Sequence, residues 1–101
     1  MFARMAWLEF REKKADEGFK VLQTKILPTV KERKGCRGVL LLRDLNTGNA
    51  TLVTLWEAKA DMVLDPAEDY PAQTPELQEL LAGPAPREFY EVAEMSVGDL
   101  A

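Results

Sequence analysis

The chain has 101 residues, of which 47% are hydrophobic and 30% charged, and its formal net charge is -4. A chain of this length forms about one domain, which we place at residues 1–101. The acidic charge argues against a nucleic-acid partner, because such binding depends on clustered Lys and Arg. No apolar run approaches the roughly 18 residues of a membrane span.

The first ten residues lack the basic start of a secretory signal peptide and are interrupted by Arg4 and Glu9. The single cysteine, Cys36, has no second cysteine with which to form an internal disulfide. From these features we expect a cytoplasmic protein without a membrane partner.

Periodicity predicts a strand and then a helix in the first third of the chain. Met1–Phe10 alternates with period two and carries apolar residues on both faces. Apolar residues then recur at steps of three and four, at Ala15, Phe19, Leu22, Ile26 and Val30. Pro28 lies inside this helix and lacks an N–H, which predicts a kink or short break near Leu27. Gly35 is expected to end the helix in a left-handed conformation.

Two further strands and a hairpin loop are predicted in the middle of the chain. Cys36–Arg43 and Ala50–Trp56 are both rich in aliphatic residues at consecutive positions, so both faces of each strand need cover. The residues between them suit a short loop with Gly48 in a left-handed conformation.

A second helix and a last strand complete the pattern. The helix begins at Ala58–Leu64, is broken by prolines 66 and 71, resumes at Thr74 and is closed by Gly83. Arg87–Val97 alternates again and predicts the last strand.

The predicted order βαββαβ is that of an α+β ferredoxin-like sandwich, with two helices on one face of a four-stranded sheet. Two helices cover one face only, whereas the first three strands carry large apolar side chains on both. A second copy of the sheet is the simplest cover, so we expect a homodimer.

Several short motifs resemble the antibiotic biosynthesis monooxygenase family. They comprise Pro28 inside the first helix, Gly35-Cys36-Arg37-Gly38 before an aliphatic strand, Arg43-Asp44 before the turn, Thr54-Leu55-Trp56-Glu57 at the end of the hairpin, and Thr74-Pro75-Glu76-Leu77-Gln78 in the second helix. The resemblance spans nearly the whole chain. It implies a dimeric α/β barrel, with a pocket between sheet and helices in each subunit.

The absence of histidine from the sequence limits the chemistry. Ser-His and Cys-His nucleophilic systems are excluded, and so are most zinc sites, so we expect no metal. The haem-degrading branch of the family relies on an asparagine on the first strand, a tryptophan on the third and a histidine on the second helix. Only the tryptophan has a counterpart, Trp56, and we therefore expect no haem and no other cofactor.

The resemblance then favours the cofactor-independent branch, in which a phenol or quinol held in an apolar pocket loses a proton and its anion passes an electron to O₂. Trp56 is the first candidate for the pocket wall, followed by Trp7, Phe89 and Tyr90. For the tryptophans, a place in the core or an interface is the alternative.

Two further candidates carry polar groups. Arg4 is a charge on an otherwise apolar strand face, and it suits either a developing oxyanion or a salt bridge to Glu91 or Glu94. Tyr70, in the proline-rich loop, suits a lid or a proton donor. No residue is identified as a catalytic base.

Two functions remain open at this point. The first is a cofactor-independent monooxygenase, or a related enzyme, acting on a small aromatic or quinol substrate. The second is a non-catalytic dimeric module that binds a small hydrophobic or aromatic ligand.

Overall fold

A computed structural model describes residues 1–63 and 74–98 of the chain. The elements in chain order are β1 Phe2–Leu8, α1 Ala15–Val21, a π-helical segment Leu22–Ile26, α2 Leu27–Lys31, β2 Cys36–Arg43, β3 Ala50–Trp56, α3 Lys59–Met62, α4 Pro75–Leu80 and β4 Arg87–Glu91. The predicted break at prolines 66 and 71 lies outside the described residues.

The four strands form one antiparallel sheet in the order β2-β3-β1-β4. β1 lies in the interior of the sheet, where Arg4 pairs with Thr54 of β3 on one side and with Phe89 of β4 on the other. This arrangement confirms the predicted α+β ferredoxin-like fold. The ends of β2 and β3 agree with the prediction residue for residue, because consecutive aliphatic residues and a glycine-containing loop mark them clearly.

The hydrophobic core lies between one sheet face and the helices. It comprises Leu8, Phe10, Phe19, Leu22, Ile26, Val30, Ala50, Leu52, Trp56, Met62, Leu77, Leu80 and Leu81. In β3 the buried residues alternate with partly exposed ones, so that Leu52 and Trp56 face the core while Val53 and Leu55 face away from it. The prediction that this strand carries apolar residues on both faces is confirmed.

The other face of the sheet, which we call the open face, carries Ala3, Met5, Trp7, Leu40, Leu42, Thr51, Val53, Leu55 and Tyr90. The strand register places these side chains on one side. Leu40 is 53% exposed and Leu42 47% exposed. Exposed apolar surfaces of this kind are common at interaction sites.

The first helix contains a wide turn that the sequence indicated only as a break. Over Leu22–Ile26 the helix is π-helical, and the N–H of Leu27 bonds to the carbonyl of Leu22, five residues earlier. Because the ring of Pro28 clashes with a normal turn before it, a wider turn accommodates the proline without ending the helix. Thr29 Oγ1 donates to the Lys25 carbonyl at 3.0 Å. This bond gives a hydrogen-bond donor to a carbonyl of the π-helical segment.

The predictions for the second half of the chain need three corrections. The last strand ends at Glu91 rather than Val97, because its partner β1 begins at Phe2, the residue opposite Glu91. α4 ends at Leu80 before it reaches Gly83, since Leu81 forms a bridge with Phe10. The helix predicted from Ala58 is a single turn, Lys59–Met62, in the described residues.

The left-handed conformation predicted for Gly35 and Gly48 is confirmed, but Gly35 does not end the helix, because α2 ends at Lys31. Gly35 has φ +81° and Gly48 has φ +78°. The carbonyl of Gly35 accepts a hydrogen bond of 2.8 Å from the N–H of Glu57. The β2–β3 hairpin is therefore hydrogen-bonded at the end opposite its loop as well as at the loop.

Candidate functional site

A cavity lies between the sheet and the helices, and we call it the inner cavity. It is lined by Arg4, Ala6, Leu8, Leu22, Ile26, Leu52, Thr54, Leu77, Ala85 and Arg87. Its free volume is about 20 Å³, room for about one water molecule. The lining is apolar except for two arginines and one threonine.

The π-helical segment supplies part of the wall. Leu22 and Ile26, its first and last residues, both line the inner cavity from the helical side. Leu77 of α4 completes that side. Single π turns within helices occur frequently at functional sites, because they rotate side chains out of the regular helical positions.

The polar part of the inner cavity is organised around Trp56. The indole N–H of Trp56 donates to Thr54 Oγ1 at 2.8 Å, and Thr54 Oγ1 lies 3.5 Å from the Arg4 carbonyl oxygen, to which it donates. The Arg4 guanidinium lies over the Trp56 ring, 5.6 Å from its centroid. All three side chains are buried, and Arg4 is only 4% exposed.

Burying a guanidinium costs free energy unless other groups replace its hydration. The face of Trp56 provides part of this compensation through a cation–π contact. The cluster therefore holds a permanent positive charge against the apolar wall of the inner cavity.

A second cation, Arg87, lines the same cavity from β4 and is exposed. Register pairs Arg87 with Ala6 and Arg4 with Phe89, so the two arginines are diagonal neighbours on one sheet face. Among the described residues, those that line the cavity include no carboxylate. Arg4 and Arg87 are therefore the charged residues of the described lining, and each also interacts with another part of the protein.

The structure brings only some of the predicted site residues together. Arg4 lines the inner cavity, Trp56 packs behind it, and Phe89 lies beside Arg4 in the register, 49% exposed. Trp7 lies on the open face and borders a separate depression together with Glu9 and Asn49.

Tyr90 also lies on the open face, where its hydroxyl donates to Glu88 at 3.3 Å. Partial desolvation and the Glu88 carboxylate raise the pKa of Tyr90 above its usual value, so this side chain is neutral at physiological pH. Tyr70 lies outside the described residues.

Thr54 and Arg87 line the inner cavity but were not identified as candidates from the sequence. Thr54 precedes Trp56 by two positions, which places it on the same strand face. Arg87 shares its face with Phe89 for the same reason. Alternation within each strand is therefore the signal that could have found them.

Within residues 1–63 and 74–98, no group of His, Cys, Asp and Glu side chains is arranged to hold a metal ion. The same residues contain no helix that is long and apolar enough to cross a bilayer.

No protein-family model matches the chain, and no curated protein matches it. Solved structures do match its fold. A proposed antibiotic biosynthesis monooxygenase from Nitrosomonas europaea is 10% identical, with a TM-score of 0.77 over 93% of this chain and 100% of the other. Rv0793 from Mycobacterium tuberculosis is 16% identical, with a TM-score of 0.73 over 95% and 98%.

A third structure with this fold is a variant of MhuD with two manganese protoporphyrin IX molecules bound per active site. It is 19% identical, with a TM-score of 0.71 over 97% of this chain and 100% of the other. Several further matches are named as antibiotic biosynthesis monooxygenases. The predicted resemblance to that family is thus confirmed at the level of the fold.

Proposed function

We propose that this chain, which has the fold of the antibiotic biosynthesis monooxygenases, is a cofactor-independent monooxygenase for a small aromatic phenol or quinol. The observation that carries the proposal is the Arg4 guanidinium, buried and lying against an apolar cavity. A phenolate needs this combination, since its ring is apolar and its oxygen is anionic.

The overall reaction needs no external reductant. A phenol with a free ring C–H reacts with O₂ to give a quinone and water, so one oxygen atom enters the ring and the other leaves as water. The substrate supplies all four electrons. The phenolate first passes one electron to O₂, the two radicals combine to form a C–O bond, and loss of water from the resulting peroxide gives the second carbonyl.

In this scheme Arg4 is the catalytic residue. Its guanidinium donates hydrogen bonds to the phenolate oxygen, and this charge stabilisation is stronger in a site from which water is excluded. Trp56 is a positioning residue, because it contacts the guanidinium and also bonds to Thr54, whose hydroxyl bonds to the Arg4 backbone.

A haem-degrading activity is not proposed. The family's haem-degrading branch uses a histidine, and the sequence of this protein contains none. The two protoporphyrin molecules belong to the structure of the MhuD variant.

Oxygen uptake with a panel of hydroquinones and naphthols tests the proposal. We expect uptake by the wild-type protein and a loss of about 100-fold or more in kcat for Arg4→Met, the range found when a stabilising donor is removed. Arg11→Met is the matched control, because Arg11 is exposed and is not among the residues that line the cavity. Absence of uptake across the panel would contradict the proposal.

One observation favours the second candidate function, a non-catalytic ligand-binding module. The inner cavity has a free volume of about 20 Å³, whereas pockets for small molecules typically span about 300–1,000 Å³. Side chains must therefore move before an aromatic ring can enter. Saturable binding of naphthols without oxygen uptake would support this module.

We also propose that two copies pack through their open faces to form a dimeric α/β barrel. The support is the exposure of Leu40 and Leu42 beside the partly exposed Val53 and Leu55. A specific interface buries about 800 Å² per partner, and a four-stranded sheet face offers an area of that order.

A further inference from the structure

We propose that a depression at one end of the sheet binds a small primary ammonium ligand with an apolar body. We call it the outer depression, and the lining residues that matter here are Trp7, Glu9, Asp44, Thr47, Pro84 and Pro86. It is distinct from the inner cavity, with which it shares Leu8 alone among the described lining residues. The proposal does not depend on the monooxygenase reaction.

Two hydrogen bonds hold the walls of the outer depression in place. The N–H of Trp7 donates to the Pro86 carbonyl at 3.0 Å, which fixes the segment before β4 against the end of β1. The N–H of Phe10 donates to Asn49 Oδ1 at 3.1 Å, which ties the hairpin loop to the residues after β1. The depression is therefore formed before a ligand arrives, and a preformed site lowers the cost of binding.

The outer depression has room for a small organic molecule. Its free volume is about 380 Å³, within the range of about 300–1,000 Å³ that is typical of small-molecule pockets. Glu9, Asp44, Thr47 and the two prolines lie beyond the ends of the strands, so the depression opens at the end of the sheet. Trp7 also belongs to the open face, so in the proposed dimer the second copy lies beside the depression.

The charged residues of the described lining are both carboxylates, Glu9 and Asp44. Within the described part of the chain, neither of them forms an ion pair. Asp44 accepts the N–H groups of Asn46 and Thr47 through Oδ1, which leaves Oδ2 for a ligand. These bonds lower the pKa of Asp44, so it is ionised at neutral pH. The net charge of -4 also attracts cations.

The apolar wall of the outer depression suits the body of such a ligand. Trp7 is partly exposed, and among the described residues no cation lies over its ring. The other tryptophan, Trp56, already has the Arg4 guanidinium over its ring. An indole face attracts an ammonium group, and the exposed rings of Pro84 and Pro86 add aliphatic surface beside it.

The hydrogen-bonding groups favour a primary ammonium over a quaternary one. A primary ammonium has three N–H donors. The described lining offers the carboxylate of Glu9, Oδ2 of Asp44 and the hydroxyl oxygen of Thr47 as acceptors. A quaternary ammonium has no N–H and would leave these acceptors without donors. Anionic ligands are repelled by the two carboxylates.

Calorimetric titration at neutral pH and low ionic strength compares 2-phenylethylamine, a primary ammonium at this pH, with the neutral 2-phenylethanol of the same shape. We expect the amine to bind about ten-fold more tightly, because the alcohol forms neither an ion pair nor a cation–π contact. Glu9→Gln should weaken binding of the amine about three-fold and leave binding of the alcohol unchanged. Glu12→Gln is the matched control, because Glu12 is exposed and is not among the lining residues.

The indole N–H resonances of the two tryptophans locate the bound amine, and Trp7→Phe identifies the signal of Trp7. The amine should shift this signal, whereas the signal of Trp56, buried and bonded to Thr54, should stay. A shift of the Trp56 signal alone would overturn the proposal. So would equal affinities for the amine and the alcohol, equal effects of Glu9→Gln and Glu12→Gln, or no binding of the amine at millimolar concentration.

Discussion

The indole N–H of Trp56 bonds to Thr54 Oγ1 at 2.8 Å, and both side chains are fully buried in the same face of β3. The two residues are separated by one position whose side chain lies on the opposite face of the sheet. A buried indole N–H is rarely left without an acceptor. The bond therefore fixes the tryptophan ring over which the Arg4 guanidinium lies.

Thr54→Val tests this bond, because valine has the same shape and lacks the acceptor. The indole N–H would be left buried and unsatisfied, so we expect a loss of about 1–3 kcal/mol in the free energy of unfolding. Chemical denaturation measures this loss. Thr51→Val, on the open face of the same strand, should change the stability by much less. Equal losses for the two variants would show that the bond contributes nothing specific.

Gly18→Ala should destabilise the protein through a steric clash. A Cβ atom at this position would lie 2.1 Å from Cε1 of Phe10, whose ring packs beside Phe19 in the core. Overpacking costs about 1–3 kcal/mol and outweighs the gain in helix propensity of about 1 kcal/mol. Gly83→Ala is the control, because no atom lies within 4 Å of a Cβ there. A thermal melt in which the alanine at position 18 stabilises the protein would contradict the prediction.

Leu40→Asp should convert the proposed dimer into a monomer. Leu40 lies on the open face beside Val53, so a carboxylate there would be buried without a partner when two sheets pack together. Leu45→Asp introduces the same charge in the hairpin loop, where Leu45 is 99% exposed, and should leave the dimer intact. Sedimentation velocity at micromolar concentration measures both. A wild-type monomer in that experiment would reject the dimer.

The hairpin loop should lose stability in acid through Asp44. Its carboxylate accepts hydrogen bonds from the N–H groups of Thr47 and Asn46, which lower the pKa of Asp44 below the usual value. Because the folded pKa is depressed, this contribution is present above about pH 4 and is lost as the pH falls through the folded pKa.

Asp44→Asn keeps an oxygen acceptor but does not titrate. Urea denaturation at about pH 7 and about pH 3 should therefore show a larger loss in the wild-type protein than in this variant. Identical losses would mean that Asp44 does not contribute to the acid sensitivity.

The pH dependence of the proposed reaction should follow the ionisation of the substrate's phenol group. If the cavity binds the anion and supplies no base, kcat/KM rises with pH until the phenol is fully ionised and is level above that point. Oxygen uptake with two phenols of different acidity should give two profiles whose midpoints differ as the phenol pKa values differ. A midpoint that stays the same for both substrates would instead identify a titrating group on the protein.

Sequence patterns predicted the parts of the fold that depend on local information. The bounds of β2 and β3, the left-handed glycines at positions 35 and 48, and the division of each strand between two faces all follow from alternation and from glycine chemistry. The end of β4 could not be predicted in this way. Alternation continues to Val97, whereas pairing stops at Glu91, where β1 begins.

The candidate site depends on relationships between elements, and it was therefore predicted only in part. Arg4 stood out as a charge in an apolar strand. Arg87 joins it only because β4 pairs with β1 in a register that no short motif encodes. The wide turn places Leu22 and Ile26 at the cavity. It could not be predicted from the sequence, because a proline inside a helix can produce a kink, a break or a wide turn.

The bond between Gly35 and Glu57 also bears on the order in which the chain folds. With this bond at one end and the loop after Arg43 at the other, the β2–β3 hairpin needs only a short loop to close. β1 and β4, in contrast, bring together residues from opposite ends of the chain, such as Phe2 and Glu91. We therefore expect the hairpin to form early in folding and the β1–β4 pair, which carries Arg4 and Arg87, to form later.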